Sequence, residues 1–414
     1  MLDIKFIREN KDLIKDAAKK KKIKVDIDRL VALDEKRRAL IFEVDALRAI
    51  HKTSSEKVVT LSGDEKEKFT QKLREDKNNL VHKEYDLRTV EAEYNELMLW
   101  VPNFPDPSVP EGESDADNAE IRQWGEIPDF KKIGGRTYLE IMQDGDMADL
   151  ERGVKVSGFR GYFLKNDGVR LCFALWQYVY DSLAKKGFTP MIVPAIVKRD
   201  NLIGTGWFPQ AEEDVYKTQD ETYLSGTAEV AIMGYHKDEI LSEEELPKKF
   251  VAFSPCYRRE AGSYGRDQKG LFRVHEFFKI EQVVLCKADH QESINWHEEL
   301  TRNSEEIMQA LKIPYRVVIN CAADLGLGQV KKYDIEGWIP SEGKYRETHS
   351  SSYFHDFQTR RLNIRYKDSE DKIKFAHSLN NTAIATPRIL EALLENHQTS
   401  DGKFEIPEVL RKYM

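Results

Sequence analysis

The chain has 414 residues, 40% of them hydrophobic and 33% charged, and a formal net charge of −8. That length allows more than one domain and a substantial core. No apolar run approaches the ~20 residues of a membrane span, and the charged start MLDIKFIRENKDLIKD does not read as a secretory signal.

Net acidity disfavours a nonspecific nucleic-acid coat but leaves room for local basic patches. Cys172, Cys256, Cys286 and Cys321 are scattered, with no CxxC pair and no zinc-ligand spacing to histidines. Reduced structural thiols, a cytoplasmic location and no zinc are therefore expected.

Apart from Gly63, the first hundred residues contain neither Gly nor Pro. Leu33, Leu40 and Leu47, with Leu30 and Val44 between them, form one heptad seam; Leu73, Leu80, Leu87 and Tyr94, with Phe69, Val90 and Leu97, form a second. The Ser/Thr-rich segment Thr53–Gly63 reads as a turn, so the two helices fold back as an antiparallel hairpin roughly 40 Å long. Arg37, His51, Asp76 and Lys83 interrupt the seam. Periodicity alone fits a dimerisation coiled coil or a solvated spacer, and the lysines at 19–22 fit a phosphate-facing patch or a solvated face. Pro102, Pro105, Pro107 and Pro110 mark a linker, which sets the expected domains at 1–110 and 111–414.

Beyond the linker, Arg170–Lys186 and Ile389–His397 are helical by pattern, and Phe250–Phe253, Gln282–Leu285 and Tyr315–Asn320 are short and β-rich. Without βαβ alternation or a glycine-rich phosphate loop, an α+β domain with a largely antiparallel sheet is expected. Three segments could carry chemistry. Ser254–Glu281 sets Arg258, Arg259, Arg266 and Arg273 among Glu260, Asp267, Glu276 and Glu281, punctuated by Gly262, Gly265 and Gly270. Guanidinium forks suit phosphates and carboxylates suit an amine, although an ordinary salt-bridged hairpin would show such pairs too. In Tyr345–Arg361, strand alternation would put Glu347 and His349 on one face and Ser350 and Ser352 on the other. A carboxylate with a hydroxyl suits Mg²⁺. In Ser378–Arg388, Pro387 and Arg388 open a helix, where anions are favoured.

Together these segments resemble the bacterial-type seryl-tRNA synthetases over nearly the whole chain. GFTPMIVPAIVKRDNLIGTG, with Pro194, resembles the first class II motif; CYRREAGSYGRDQKGLFRVHEFFKIE resembles the second; LNNTAIATPR resembles the third. LSGTAEVA, YDIEGWIP and DFQTRR are similar to neighbouring family blocks.

The resemblance implies a class II catalytic domain with an antiparallel sheet of six or seven strands, preceded by the N-terminal hairpin. It implies a homodimer that forms seryl-adenylate from L-serine and ATP with Mg²⁺ and then charges tRNA(Ser), with use of tRNA(Sec) left open. The hairpin becomes the arm that contacts tRNA. Arg258 and Arg388 are the expected catalytic residues, Arg258 on the α-phosphate and Arg388 over adenine and toward the γ-phosphate. Arg259, Glu260, Arg273, Phe277, Glu347, Thr348, His349 and Ser350 complete the ATP set, with Glu347 and Ser350 on Mg²⁺ and Phe277 stacked on adenine. Thr227, Ala228, Glu229, Glu281 and Thr382 are expected to bind serine. The sequence departs from the family at Asn381-Thr382 (usually Gly-Ser), Thr386-Pro387 (Val-Gly), Thr348-His349 (Ile-Ser) and Ala323 (Gly). Asn381 adds a side chain where backbone is expected to approach the substrate. A synthetase-like paralogue that loads another acceptor is the competing reading.

Overall fold

The computed structural model describes residues 1–261, 270–401 and 403–414. The chain divides into two compact units, residues 2–102, and residues 103–414 with Met1.

Two long helices dominate the first unit, α1 (Ile27–Val58) and α2 (Gly63–Trp100). Asp26 caps α1 by accepting from the Arg29 amide at 2.9 Å. The helix runs past the turn expected at Thr53. There the Thr53 and Ser55 hydroxyls donate to the carbonyls of Ala49 and His51 at 3.0 and 2.7 Å, which satisfies them inside the helix. Leu30, Leu33, Leu40 and Val44 are buried on α1, and Val90 and Tyr94 on α2; Leu47, Leu73, Leu80 and Leu87 are half-buried. Ion pairs Arg29–Glu93 (2.8 Å), Lys83–Glu43 (2.7 Å) and Arg48–Glu84 (2.8 Å) join the start of α1 to the end of α2 and their middles to each other. The pair is antiparallel. Such exposed bridges contribute little, so the buried seam dominates its stability. Arg37 is accommodated by lying 4.7 Å above the Tyr94 ring and 3.4 Å from buried Asp34, which Arg8 and Arg38 also reach.

The second unit is built on one large sheet. Its strands are β1 (Ala119–Trp124), β2 (Thr189–Ile192), β3 (Lys248–Tyr257), β4 (Glu276–Cys286), β5 (Tyr315–Ile319), β6 (Lys331–Ile339), β7 (Lys344–Tyr353) and β8 (His377–Thr386). They lie in the order β1-β5-β6-β7-β8-β4-β3-β2, eight strands among the described residues where six or seven were expected. The additional length comes from the edges, where β1 pairs with β5 and β2 joins β3 in parallel. Both edges are short and largely exposed, so neither carries an apolar alternation that the sequence would betray.

Helices α3 (Asn166–Lys185), α5 (His290–Ala310) and α6 (Arg388–Asn396) pack on one face. Ile280 and Val284 of β4 join their core with Leu175, Leu300 and Leu393. Val283 and Leu285 point the other way, into a smaller cluster with Ile232 and Met233 of α4 (Glu229–Tyr235). Because both faces of β4 are covered at its C-terminal end, residues 283–286 read as a continuous apolar run. Among the described residues no helix is long and apolar enough to cross a membrane. The four cysteines are buried and unbridged.

Candidate active site

Two bulges shape the site. In β7, Thr348 and His349 together oppose the single residue Ile335, so the pairing passes from Ser350↔Asp334 to Glu347↔Glu336. Asp334 and Glu336 are two apart and share a face, which brings Glu347 and Ser350 to a common face although they are three apart. This corrects the simple alternation, which paired Glu347 with His349. Thr348 and His349 border the cleft but are almost wholly buried, and the Thr348 hydroxyl lies 2.8 Å from His349 Nδ1. Burial pushes the His349 imidazole down to about 4, so it is neutral near pH 7.

The second bulge lies in β8. Ile280↔Ile384 is followed by Glu281↔Thr382, leaving Ala383 as the extra residue. Ala383 and Ile384 both enter the helix-side core, while Thr382 and Ala385 both line the cleft. Between the bulged strands, the β7–β8 ladder ends at Ser351↔Asn381.

Two adjoining chambers result. The first is lined by Glu260, Phe272, Arg273, Phe277, Glu347 and Arg388, among others. The second is lined by Trp207, Thr227, Glu229, Glu281, Ser352 and Asn380, among others. Arg258, Lys279 and Ser350 line both and mark the junction. Alternation along β4 explains the wall they share, since Phe277, Lys279 and Glu281 project from one face.

Cations crowd the first chamber. Arg273 pairs with Glu260 at 2.6 Å, and Arg388 donates to the Glu347 carbonyl at 3.0 Å with the Glu347 carboxylate 3.5 Å away. Arg258 is held between two rings, its guanidinium carbon 5.5 Å from the Trp207 centroid and 5.4 Å from that of Phe277. Arg388 lies 4.2 Å over Phe272. Burial lowers the Arg388 pKa, Glu347 opposes that shift, and Arg258 and Arg273 add to it. For Glu347, burial would raise the carboxyl, but Arg388, Lys332, Arg258 and Arg273 outweigh it and hold the value below normal. An anionic ligand would relieve this concentration of positive charge.

The second chamber sets two carboxylates, Glu229 and Glu281, beside the cations Arg258 and Lys279. Lys279 and Glu281 form a buried pair at 2.6 Å, and the Thr382 hydroxyl donates to Glu281 at 3.2 Å. Glu229 accepts from Gln358 at 2.7 Å, and burial pushes its carboxyl up to about 7.

Residues 1–105 match the seryl-tRNA synthetase N-terminal domain, and residues 213–397 match the tRNA synthetase class II core domain (G, H, P, S and T). The chain is 46% identical over 415 residues to the serine–tRNA ligase of Deinococcus radiodurans, covering 100% of this chain and 97% of that one. It belongs to the seryl-tRNA synthetase family. The serine–tRNA ligase of Caldicellulosiruptor saccharolyticus is 41% identical, covering 100% of this chain and 99% of its own. Seryl-tRNA synthetase from Pyrococcus horikoshii, solved in complex with ATP, superposes with a TM-score of 0.89 at 39% identity, covering 100% and 98% of the two chains. The cytoplasmic serine–tRNA ligase of Naegleria fowleri, solved with AMP, gives 0.86 at 32% identity, covering 100% and 97%.

Most residues singled out from the sequence of this seryl-tRNA synthetase family member meet at the two chambers. Arg259 and Ala228 line neither. Arg259 donates to the Glu213 carbonyl at 3.1 Å, and Ala228 is buried in the smaller core cluster. Gly262, Gly265, Arg266 and Asp267 lie outside the described residues. The Asn381 side chain turns away from the cleft, accepting from Gln282 and Ser304 at 2.7 and 2.5 Å, so it does not occupy substrate space. Sequence reasoning missed Lys279, Trp207 and Phe272. Alternation from Phe277 to Glu281 would have found Lys279; the two aromatic residues carry no local signal.

Proposed function

We propose that the chain activates L-serine with ATP to form seryl-adenylate and transfers the serine to tRNA(Ser), with ATP in the first chamber and serine in the second. The convergence of Arg258, Arg273 and Arg388 on one cleft, beside a chamber carrying Glu229 and Glu281, supports this best. The guanidiniums take the triphosphate and the Glu229 carboxylate takes the serine ammonium. Phe277 and Arg388 take opposite faces of adenine. Thr382 and Glu281 take the serine hydroxyl.

The chemistry needs no general base, because the serine carboxylate is already ionised at neutral pH. One carboxylate oxygen attacks the α-phosphorus, the bond to the bridging oxygen breaks, and pyrophosphate leaves. Arg258, at the junction of the chambers, meets the charge that builds on the α-phosphate. The terminal hydroxyl of tRNA then attacks the seryl carbonyl carbon and AMP departs. Glu347 and Ser350 share a face and offer two hard oxygens, so they are the residues that would hold Mg²⁺. The ion would supply charge neutralisation on the phosphates. No zinc is required.

Residues 1–110 serve as the RNA arm, reading the shape and backbone of the long tRNA arm, and 111–414 as the catalytic domain. The enzyme works as a cytoplasmic homodimer. Serine-dependent pyrophosphate exchange, run beside threonine, alanine and cysteine, tests activation; charging of tRNA(Ser) tests transfer. Exchange with serine and charging are both expected, and deletion of residues 33–97 should spare exchange while abolishing charging. Exchange without charging by the intact chain would instead favour a paralogue with another acceptor.

A further inference from the structure

Behind the second chamber, on the opposite face of the sheet, a line of buried polar side chains runs from the end of α3 to β8. The Lys186 ammonium donates to Asn303 Oδ1 at 2.7 Å, Asn303 Nδ2 to Gln282 Oε1 at 2.8 Å, and Gln282 Nε2 to Asn381 Oδ1 at 2.7 Å. An ammonium can only donate, so it fixes the orientation of each amide that follows. The Ser304 hydroxyl completes the line, 2.5 Å from Asn381 Oδ1 and 2.9 Å from the Thr382 carbonyl. Asn303, Gln282, Ser304 and Asn381 are essentially inaccessible to solvent.

The line ends at the last regular step of the ladder before the β8 bulge. There Gln282↔Asn381 and Glu281↔Thr382 are successive cross-strand pairs facing opposite sides of the sheet. The first pair belongs to the buried line and the second is the Glu281–Thr382 contact in the substrate wall. A bulge loosens the ladder that would otherwise set a strand's height. Hydrogen bonds from behind can take over that role.

We propose that Asn381, Ser304, Gln282 and Asn303 are positioning residues for amino-acid selection, clamping β8 so that the Thr382 hydroxyl stands against Glu281. This rests on the serine-binding reading of Thr382 and Glu281. None of the four touches substrate. Their effect passes through the Thr382 backbone to the Thr382–Glu281 contact, where the first chamber meets the second.

The test is pyrophosphate exchange with Ser304→Ala, which deletes one buried oxygen, and with Lys186→Met at the partly exposed head of the line. Ser304→Ala should raise KM for serine about five- to tenfold and erode the preference for serine over alanine by a similar factor. KM for ATP should stay within about twofold. Lys186→Met should shift the serine parameters in the same direction by about two- to threefold. A general structural defect would move both KM values together, and that result overturns the proposal. So does an unchanged serine KM and preference in either folded variant. If Ser304→Ala does not fold, Lys186→Met decides alone. Wild-type protein without serine-dependent exchange would instead refute the functional reading.

Discussion

The Lys279–Glu281 pair offers a demanding test, because the structure makes its removal expensive in a particular way. The two groups are 2.6 Å apart and their side chains are 7% and 1% exposed. Replacing Lys279 by Met keeps the apolar stem but leaves the Glu281 carboxylate without its counter-ion. Removing one partner of a buried pair costs about 3–5 kcal/mol. Against a typical total stability of ~5–15 kcal/mol, that is a large share. At about 2 °C per kcal/mol for a unit of this size, calorimetry should show Tm falling by roughly 6–10 °C. Adding Glu281→Gln to Lys279→Met removes the stranded charge and should restore most of the stability. It should not restore serine-dependent exchange, because Glu281 is also the proposed partner of the substrate. If the double variant melts as low as the single one, or if neither differs from wild type, the pair is not desolvated as described.

Arg388→Ala should lower serine-dependent exchange by about 10²–10³-fold while leaving the melting temperature within a few degrees; a loss below tenfold contradicts its place on the phosphates. Thr382→Val keeps the shape but deletes the hydroxyl beside Glu281, and should reduce discrimination between serine and alanine by about 10–100-fold in parallel exchange assays. Glu229 adds a pH dependence. Burial raises its carboxyl to about 7, so the charged form that suits an ammonium prevails only above that pH. KM for serine should therefore rise as pH falls from 8 to 6, and Glu229→Gln should flatten that profile. The same upward shift means that stability is lost as pH climbs from the unfolded value, about 4.3, to about 7. Glu229→Gln should therefore melt above wild type at pH 8 but not at pH 4, as denaturation at the two pH values would reveal.

The hairpin was the most legible part of the chain. Its heptads are local, and Leu30, Leu33, Leu40, Val44, Val90 and Tyr94 are buried as their spacing predicts. Its turn was less legible, because Thr and Ser close to a helix end can either break the helix or bond back into it, and only the formed helix reveals the second outcome. The sheet showed the same contrast. The well-covered strands β3, β4 and β5 announced themselves as apolar runs, whereas the exposed edges β1 and β2 did not.

For the site, residue types and their order along the chain were enough to select Arg258, Arg273, Phe277, Glu347 and Arg388 as a group, because phosphate and amine recognition demands those functional groups. Which of them share a surface was a tertiary matter. A bulge reverses the parity of everything beyond it, and no composition rule announces one. The extra residues at Thr348–His349 and Ala383 turn Glu347 toward Ser350 and Thr382 toward Ala385. The same packing turns Asn381 out of the cleft and brings Trp207 and Lys279 into it. The sequence by itself determined the chemistry on offer, since side-chain type and heptad spacing are local properties. The tertiary structure alone decided which groups face one another, since a strand's facing depends on how its neighbours pair with it.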